Sequence, residues 1–474
     1  MTQTISSTNP APVTPGIAPG LLRAATTETS RAALTGSAGI LLLGFLVCIH
    51  VTQGAAGIGF GTVFEAVVRP TDSLDHAIVR HARLPRTVVG IMCGGALAMA
   101  GVLMQAVTRN PLSSPQTLGV NAGAYLAVVV AAIAAPAALG FSPVTVAFIG
   151  AALATAATYL VAGGAWATPL RLVMAGAAIS LSLAALTAAL QILFEHQTQG
   201  LFFWGGGSII QDSWDDASYA GPRIGLAALG ALVLARQLDL LALGDDVARG
   251  LGQRTNLIRF TAGGIGVFLA ASVVAIAGPI GFIGLVVPHL VRLLGIRRHL
   301  FLLVVSAIAG ANLLVAADIA ARAVEGGITE TPAGVVTAII GTPAFIWLAR
   351  NAVHGGASRV DTAGGFMLGR SVNLPRWQVL AGLGGLLVAG LGAGLLLGDT
   401  HVAPSQVVAA LSGRGAGLSE QIVLDLRLPR LAVAGLAGAC LAASGVLLQA
   451  VVRNPLASPD IVGVAPGATV AAER

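Results

Sequence analysis

Lysine does not occur in this 474-residue sequence; all 26 basic side chains are arginine. The sequence therefore has no Walker A lysine, no Schiff-base lysine and no Ser–Lys dyad, and any ATP hydrolysis that drives the protein belongs to another chain. Charge of either sign is scarce, at 10% of residues against 55% apolar, with a mean hydropathy of +0.86. Soluble domains carry about 25% charged residues, so this chain belongs in a bilayer. Cysteine occurs three times, at Cys48, Cys93 and Cys440, without CxxC spacing, which excludes a disulfide or metal framework. The eight histidines are dispersed, and the nearest pair, His76 and His81, falls in an extramembrane loop, which disfavours a metal site. No cofactor is implied. Paired carboxylates and a catalytic triad are missing and ionisable groups at mid-span are almost absent, which disfavours a membrane enzyme and an ion-coupled secondary transporter. The net charge of +6 comes from arginines scattered at the ends of apolar runs, so it implies positive-inside topology and no nucleic acid.

What the sequence does have is a long internal repeat. Residues 83–124, RLPRTVVGIMCGGALAMAGVLMQAVTRNPLSSPQTLGVNAGA, recur at 427–468 as RLPRLAVAGLAGACLAASGVLLQAVVRNPLASPDIVGVAPGA, shifted by 344 with no gap and identical at 24 of 42 positions. A repeat of this length is a duplicated domain. Its middle, Thr87 to Val107, is about 21 apolar residues, enough at about 1.5 Å each to span the roughly 30 Å hydrocarbon core. Gly90, Gly94 and Ala98 recur every fourth position, and the copy keeps Ala434, Gly438 and Ala442, a small-residue stripe that lets a neighbouring backbone come close. Gln105 and Gln449 are polar groups inside the span and read either as interhelical hydrogen bonds or as pathway residues. Asn110-Pro111 and Pro115 then force a turn.

These residues carry a resemblance. RLPR, the small-residue helix, RNPL-x-SP and LGV-x-x-GA resemble the FecCD family, the membrane permeases of type II ABC importers for iron–siderophores, haem and vitamin B12. The likeness continues through GDDVARGLG at 244–252, GPIGFIGLVVPH at 278–289, ADIAAR at 317–322 and PAGVVTAIIGTPAFIWL at 332–348. Because two copies lie in one chain, it is nearest to the fused, double-length members for ferric hydroxamate, with haem and cobalamin still open. The resemblance implies an all-α integral membrane fold of ten spans per half. It also implies two copies of a separate ATPase, a periplasmic or lipid-anchored siderophore-binding protein, and a ferric siderophore as cargo; the protein itself is no enzyme.

In chain order, residues 1–32 read as a disordered cytoplasmic tail, 33–350 as a complete permease half, 351–375 as a cytoplasmic linker and 376–474 as the beginning of a second half. Spans are expected near 33–54, 87–108, 118–138, 143–163, 171–194, 222–243, 258–277, 281–296, 300–317 and 332–350, then 376–398 and the second repeat helix. The chain is expected to be a truncated product that does not transport alone, because the second half stops soon after Gly463-Val464.

With the N-terminus inside, sixteen arginines fall on the cytoplasmic side and nine outside. Four of those nine, Arg83, Arg86, Arg427 and Arg430, form the two RLPR motifs. They read either as side chains snorkelling to lipid headgroups or, by the resemblance, as a surface that meets carboxylates on the binding protein. Arg322 joins them by its place in ADIAAR, or else pairs with Asp318 one turn earlier. On the inside, Gly244, Asp245, Asp246, Arg249, Gly250, Leu251 and Gly252 mix charge with glycine, reading as short amphipathic helices or a solvated connector. The resemblance implies that they are the loop that couples to the ATPase. It also implies an entry line at 171–194 closed by 164–170, where Thr168 is a candidate gate residue with Gln105 and Gln449.

Overall fold

The computed structural model describes residues 19–54, 57–111, 113–137, 143–164, 169–324, 331–354, 375–398, 400, 402–415 and 417–452. Every regular element among them is helical. The chain separates into two compact units, 1–357 and 358–474.

In the first unit α1 (Pro19–Thr52) leads to a short α2 (Phe60–Val68) and then to α3, the repeat helix, which is continuous over Leu74–Thr108 with a π turn at Val79–Arg83. After it come α4 (Val120–Ala134), α5 (Pro143–Ala162), α6 (Pro169–Leu193), α7 (Asp215–Val233), α8 (Ala235–Ala242) and α9 (Asp245–Gly250). The unit closes with α10 (Thr255–Ala277), α11 (Ile283–Leu293), α12 (His299–Val324) and α13 (Ala333–His354). The centre of the bundle is α3: 78% of its apolar window is buried, against 72% for α10 and 11% for α1.

The small-residue stripe explains why α3 sits there. A Cβ on Gly94 would run into the carbonyl of Gly310 on α12, and one on Gly101 into the carbonyl of Gly284 on α11. Without hydrophobic drive between helices in lipid, such backbone contact is the main source of attraction.

Eight helices among the described residues are long and apolar enough to cross a membrane. Several expected spans differ from that count. The span expected at 222–243 is two helices, α7 and α8, meeting at 47°. The spans expected near 118–138 and 281–296 are helices of only 15 and 11 residues. Chain between α10 and α11 breaks at Gly278 (φ 70°) and Phe282 (φ 65°), so GPIGFIGLVVPH is indeed not one straight span. The N-terminal segment also differs from its expectation: α1 begins at Pro19, because the Leu, Ala and Arg run from Leu21 favours helix and Glu28 ties it down. The Glu28 carboxylate accepts the N–H groups of Arg297 (2.7 Å) and Arg298 (2.8 Å) at the open N-terminus of α12.

The second unit has α14 (Arg376–Leu396), α15 (Pro404–Leu411) and α16 (Leu418–Ala450). Its small core of Val402, Val407, Ala410 and Val423 is the first unit's Ile58, Val63, Ala66 and Val79 displaced by 344. The duplication therefore reaches back through the segment before RLPR, where few residues other than apolar ones match.

Candidate functional site

Polar side chains gather at the two ends of α3. At the RLPR end, Asp318 of α12 is fully buried and is the hub. Arg86 grips it with two bonds of 2.9 Å, Nε to Oδ2 and Nη2 to Oδ1, a bidentate geometry only a guanidinium provides. His50, on the last turn of α1, places Nε2 2.9 Å from Oδ2, while its Nδ1 lies 2.7 Å from the Thr87 hydroxyl. Arg322 pairs with Asp318 one turn along α12 (Nε to Oδ2, 3.2 Å) and donates to the carbonyls of Gln53 and His50 at the end of α1. Three helices are thus pinned through one carboxylate.

Arg83 has a different task. Its Nη1 donates to the carbonyls of Val51 (2.8 Å) and Thr52 (2.9 Å), the open C-terminus of α1, where cationic groups are favoured. Arg427 repeats this in the second unit: Nη1 donates to Leu395 (2.6 Å) and Nη2 to Thr400 (2.5 Å). Leu395 is Val51 displaced by 344, and the glycines under the two guanidinium groups, Gly54 and Gly398, are displaced by the same 344.

The arginines expected at a docking surface differ in exposure. Arg83 and Arg86 are 6% and 8% exposed, because both are consumed by internal acceptors, whereas Arg430 is exposed. The pairing of Arg322 with Asp318, one of its two sequence readings, is present.

At the other end, Gln105 is buried and bridges to α11: its Nε2 donates to the Leu285 carbonyl (3.2 Å) and its Oε1 accepts from Arg292. Of its two readings, the interhelical hydrogen bond is the one seen. Gln449 is exposed. Thr168 lies outside the described residues. Arg109, next along, ends α3 in a left-handed conformation (φ 50°), and its side chain reaches the end of α8 and the start of α9. There it donates to the Leu241 carbonyl (3.0 Å) and to Asp245 (2.6 Å), which also accepts from Arg259 of α10 (2.9 and 3.0 Å).

Gly244 and Gly252, at φ 116° and 82°, bracket α9. Leu243, Val247 and Leu251 are exposed at four-residue spacing, with Asp246, Arg249 and Gly250 exposed beside them. Next to this, the amphipathic α8 is held by Asp239, which accepts the His299 N–H (2.8 Å) and lies 2.7 Å from its Nδ1.

Sequence reasoning missed His50, Asp239 and Arg109 as participants and named Asp318 only as a neighbour of Arg322. An ionisable residue inside an apolar span is itself the signal that could have found Asp318 and His50.

The sequence model of the FecCD transport family matches residues 41–351 and again 386–473. Among curated relatives, the Fe(3+)-citrate import system permease protein YfmD of Bacillus subtilis is 41% identical over 311 residues, 66% of this chain and 92% of the relative. The iron(3+)-hydroxamate import system permease protein FhuB of Escherichia coli is 33% identical over 409 residues, 84% of this chain and 58% of that protein. A solved structure described as an inward-facing conformation of a "metal-chelate type ABC transporter" is 27% identical with a TM-score of 0.57, covering 67% of this chain and 99% of that one. The chain belongs to the FecCD transport family.

Proposed function

We propose that this chain is a membrane permease of an ABC importer for ferric siderophores, with ferric hydroxamate the favoured cargo. A binding protein delivers the siderophore from outside, and two copies of a separate ATPase act from the cytoplasmic side. The observation that carries this reading is the construction of α3, one central helix tied at one end to a buried ion cluster and at the other to the 235–259 segment. A displacement at either end has a rigid, packed route to the other. Hydroxamate is favoured over citrate on the double repeat, which it shares with the long match to the FhuB relative.

In this reading Leu243, Asp246, Val247, Arg249 and Leu251 present an apolar and charged face to a cleft of the ATPase, with Gly244, Gly250 and Gly252 setting its turns and Asp245 holding it to α3. The N-terminus is cytoplasmic. Binding-protein docking falls at the RLPR end: Arg430 is free to meet an acidic partner directly, while Arg83, Arg86, Arg322 and Arg427 brace the helix ends on which the partner lands. Residues 171–194 line the entry path, with Thr168 and Gln449 as pathway candidates.

The test is capture of the cognate binding protein by the chain in detergent, loaded in turn with ferric hydroxamate, ferric citrate or ferric enterobactin. Preferential capture of the hydroxamate form is expected. Preference for another load would reassign the cargo, and equal loss of all captures on charge reversal at 246 and 249 would place the partner on the wrong side.

A further inference from the structure

A groove of about 970 Å³ opens in the first unit between α5, α10, the last turn of α3 and the start of α6, with Gly164 and Leu172 among its lining. Ala152 and Ala156 on α5 and Gly263 and Gly264 on α10 keep its walls thin. Phe148 and Phe268 close one end in edge contact, ring centres 5.2 Å apart, and Arg259 stands at the other. From Asn256 to Phe268 the groove follows 13 residues of α10, whose 12 rises of about 1.5 Å make about 18 Å, close to the roughly 15 Å of one leaflet. Leu160 and Phe260 at its mouth are 77% and 74% exposed on a bundle built for a bilayer.

The charge at the Arg259 end is unbalanced. Among the ion pairs of the described residues, Arg109 and Arg259 share the one carboxylate of Asp245, two positive charges on one negative. Arg259 spends Nη2 on Asp245, while its Nε–H is buried with no acceptor among the described residues. A buried donor of this kind calls for an acceptor. Thin apolar walls one leaflet long, capped by a surplus cation, match one amphiphile.

We propose that the groove holds a single anionic phospholipid drawn from the leaflet on the side of segment 235–255, an acyl chain lying along Gly263, Gly264, Ala152 and Ala156 and the phosphate at Arg259. The groove borders the proposed entry line at Gly164 and Leu172, but the lipid assignment needs no assumption about cargo.

Native mass spectrometry of the whole chain in mild detergent reads it. Wild-type protein should retain one lipid through delipidation and, when titrated, favour phosphatidylglycerol over phosphatidylcholine by about fivefold, the effect of one basic residue near a headgroup. A Cβ on Gly264 meets nothing within 4 Å, so Gly264→Leu should fill the groove without disturbing the fold and abolish retention. Arg259→Gln should keep a lipid but lose the headgroup preference. A photoactivatable phosphatidylglycerol should label 148–160 and 256–268 in the wild-type chain. Equal retention by wild type and Gly264→Leu, no headgroup preference in wild type, labelling elsewhere, or a lipid-free dimer that covers the groove would each overturn the proposal.

Discussion

Asp318→Ala removes the carboxylate that Arg86, Arg322 and His50 share, and strands two guanidinium groups in the bundle. Both Arg86 bonds measure 2.9 Å, Arg322 stands at 3.2 Å and the Asp318 side chain is 1% exposed, so almost no water is present to take over. Breaking a buried pair from one side costs about 3–5 kcal/mol, chiefly the penalty of an uncompensated charge. At about 2 °C per kcal/mol, the value for larger domains, the midpoint of thermal unfolding should fall by about 6–10 °C. The measurement is the monodisperse fraction left after heating detergent-solubilised protein, by size-exclusion chromatography. Adding Arg86→Leu to Asp318→Ala should recover part of the loss, since one of the two stranded charges is gone. A midpoint within about 1 °C of wild type for Asp318→Ala would refute the argument that this cluster pins α1, α3 and α12.

Gly94→Leu should abolish the folded first unit, because the carbonyl of Gly310 occupies that space, whereas Gly438→Leu at the matching position of the second repeat meets nothing within 4 Å and should leave the yield in membranes unchanged. Arg83→Leu should free the C-terminus of α1, at a cost of about 1–3 kcal/mol for its orphaned carbonyls, and speed proteolysis near residue 53; Arg427→Leu should do the same near residue 397. Asp245 is 26% exposed, so Asp245→Ala should cost only about 1 kcal/mol in stability while import, assayed with all partner subunits present, drops and ATP hydrolysis persists. Single cysteines at Glu65 and Asp246, both exposed, should react with an impermeant maleimide from opposite sides, Glu65→Cys from outside the cell.

The helical membrane class, the duplication and the small-residue stripe were legible in the sequence, because each rests on local rules: apolar length against bilayer thickness, identity at a fixed shift, and glycine where backbones meet. The partner of each charge was not. Arg86 and Asp318 are 232 residues apart and Arg109 and Asp245 136 apart, and only the packing of α3 against α12 and the fold of α8 and α9 bring them to bonding distance. A guanidinium in an apolar setting must be satisfied, but the sequence does not say by whom, and so Arg83 and Arg86 read as a surface when the tertiary structure makes them anchors. The bend between α7 and α8 and the shortness of α4 and α11 were hidden for the same reason: hydropathy reports how apolar a stretch is, while its path is decided by the neighbours that cover it. The matching small cores show the converse: with little sequence identity around them, four apolar positions at the same 344-residue shift are buried in both units, and Arg83 and Arg427 both donate to a carbonyl at the same shift, Val51 and Leu395.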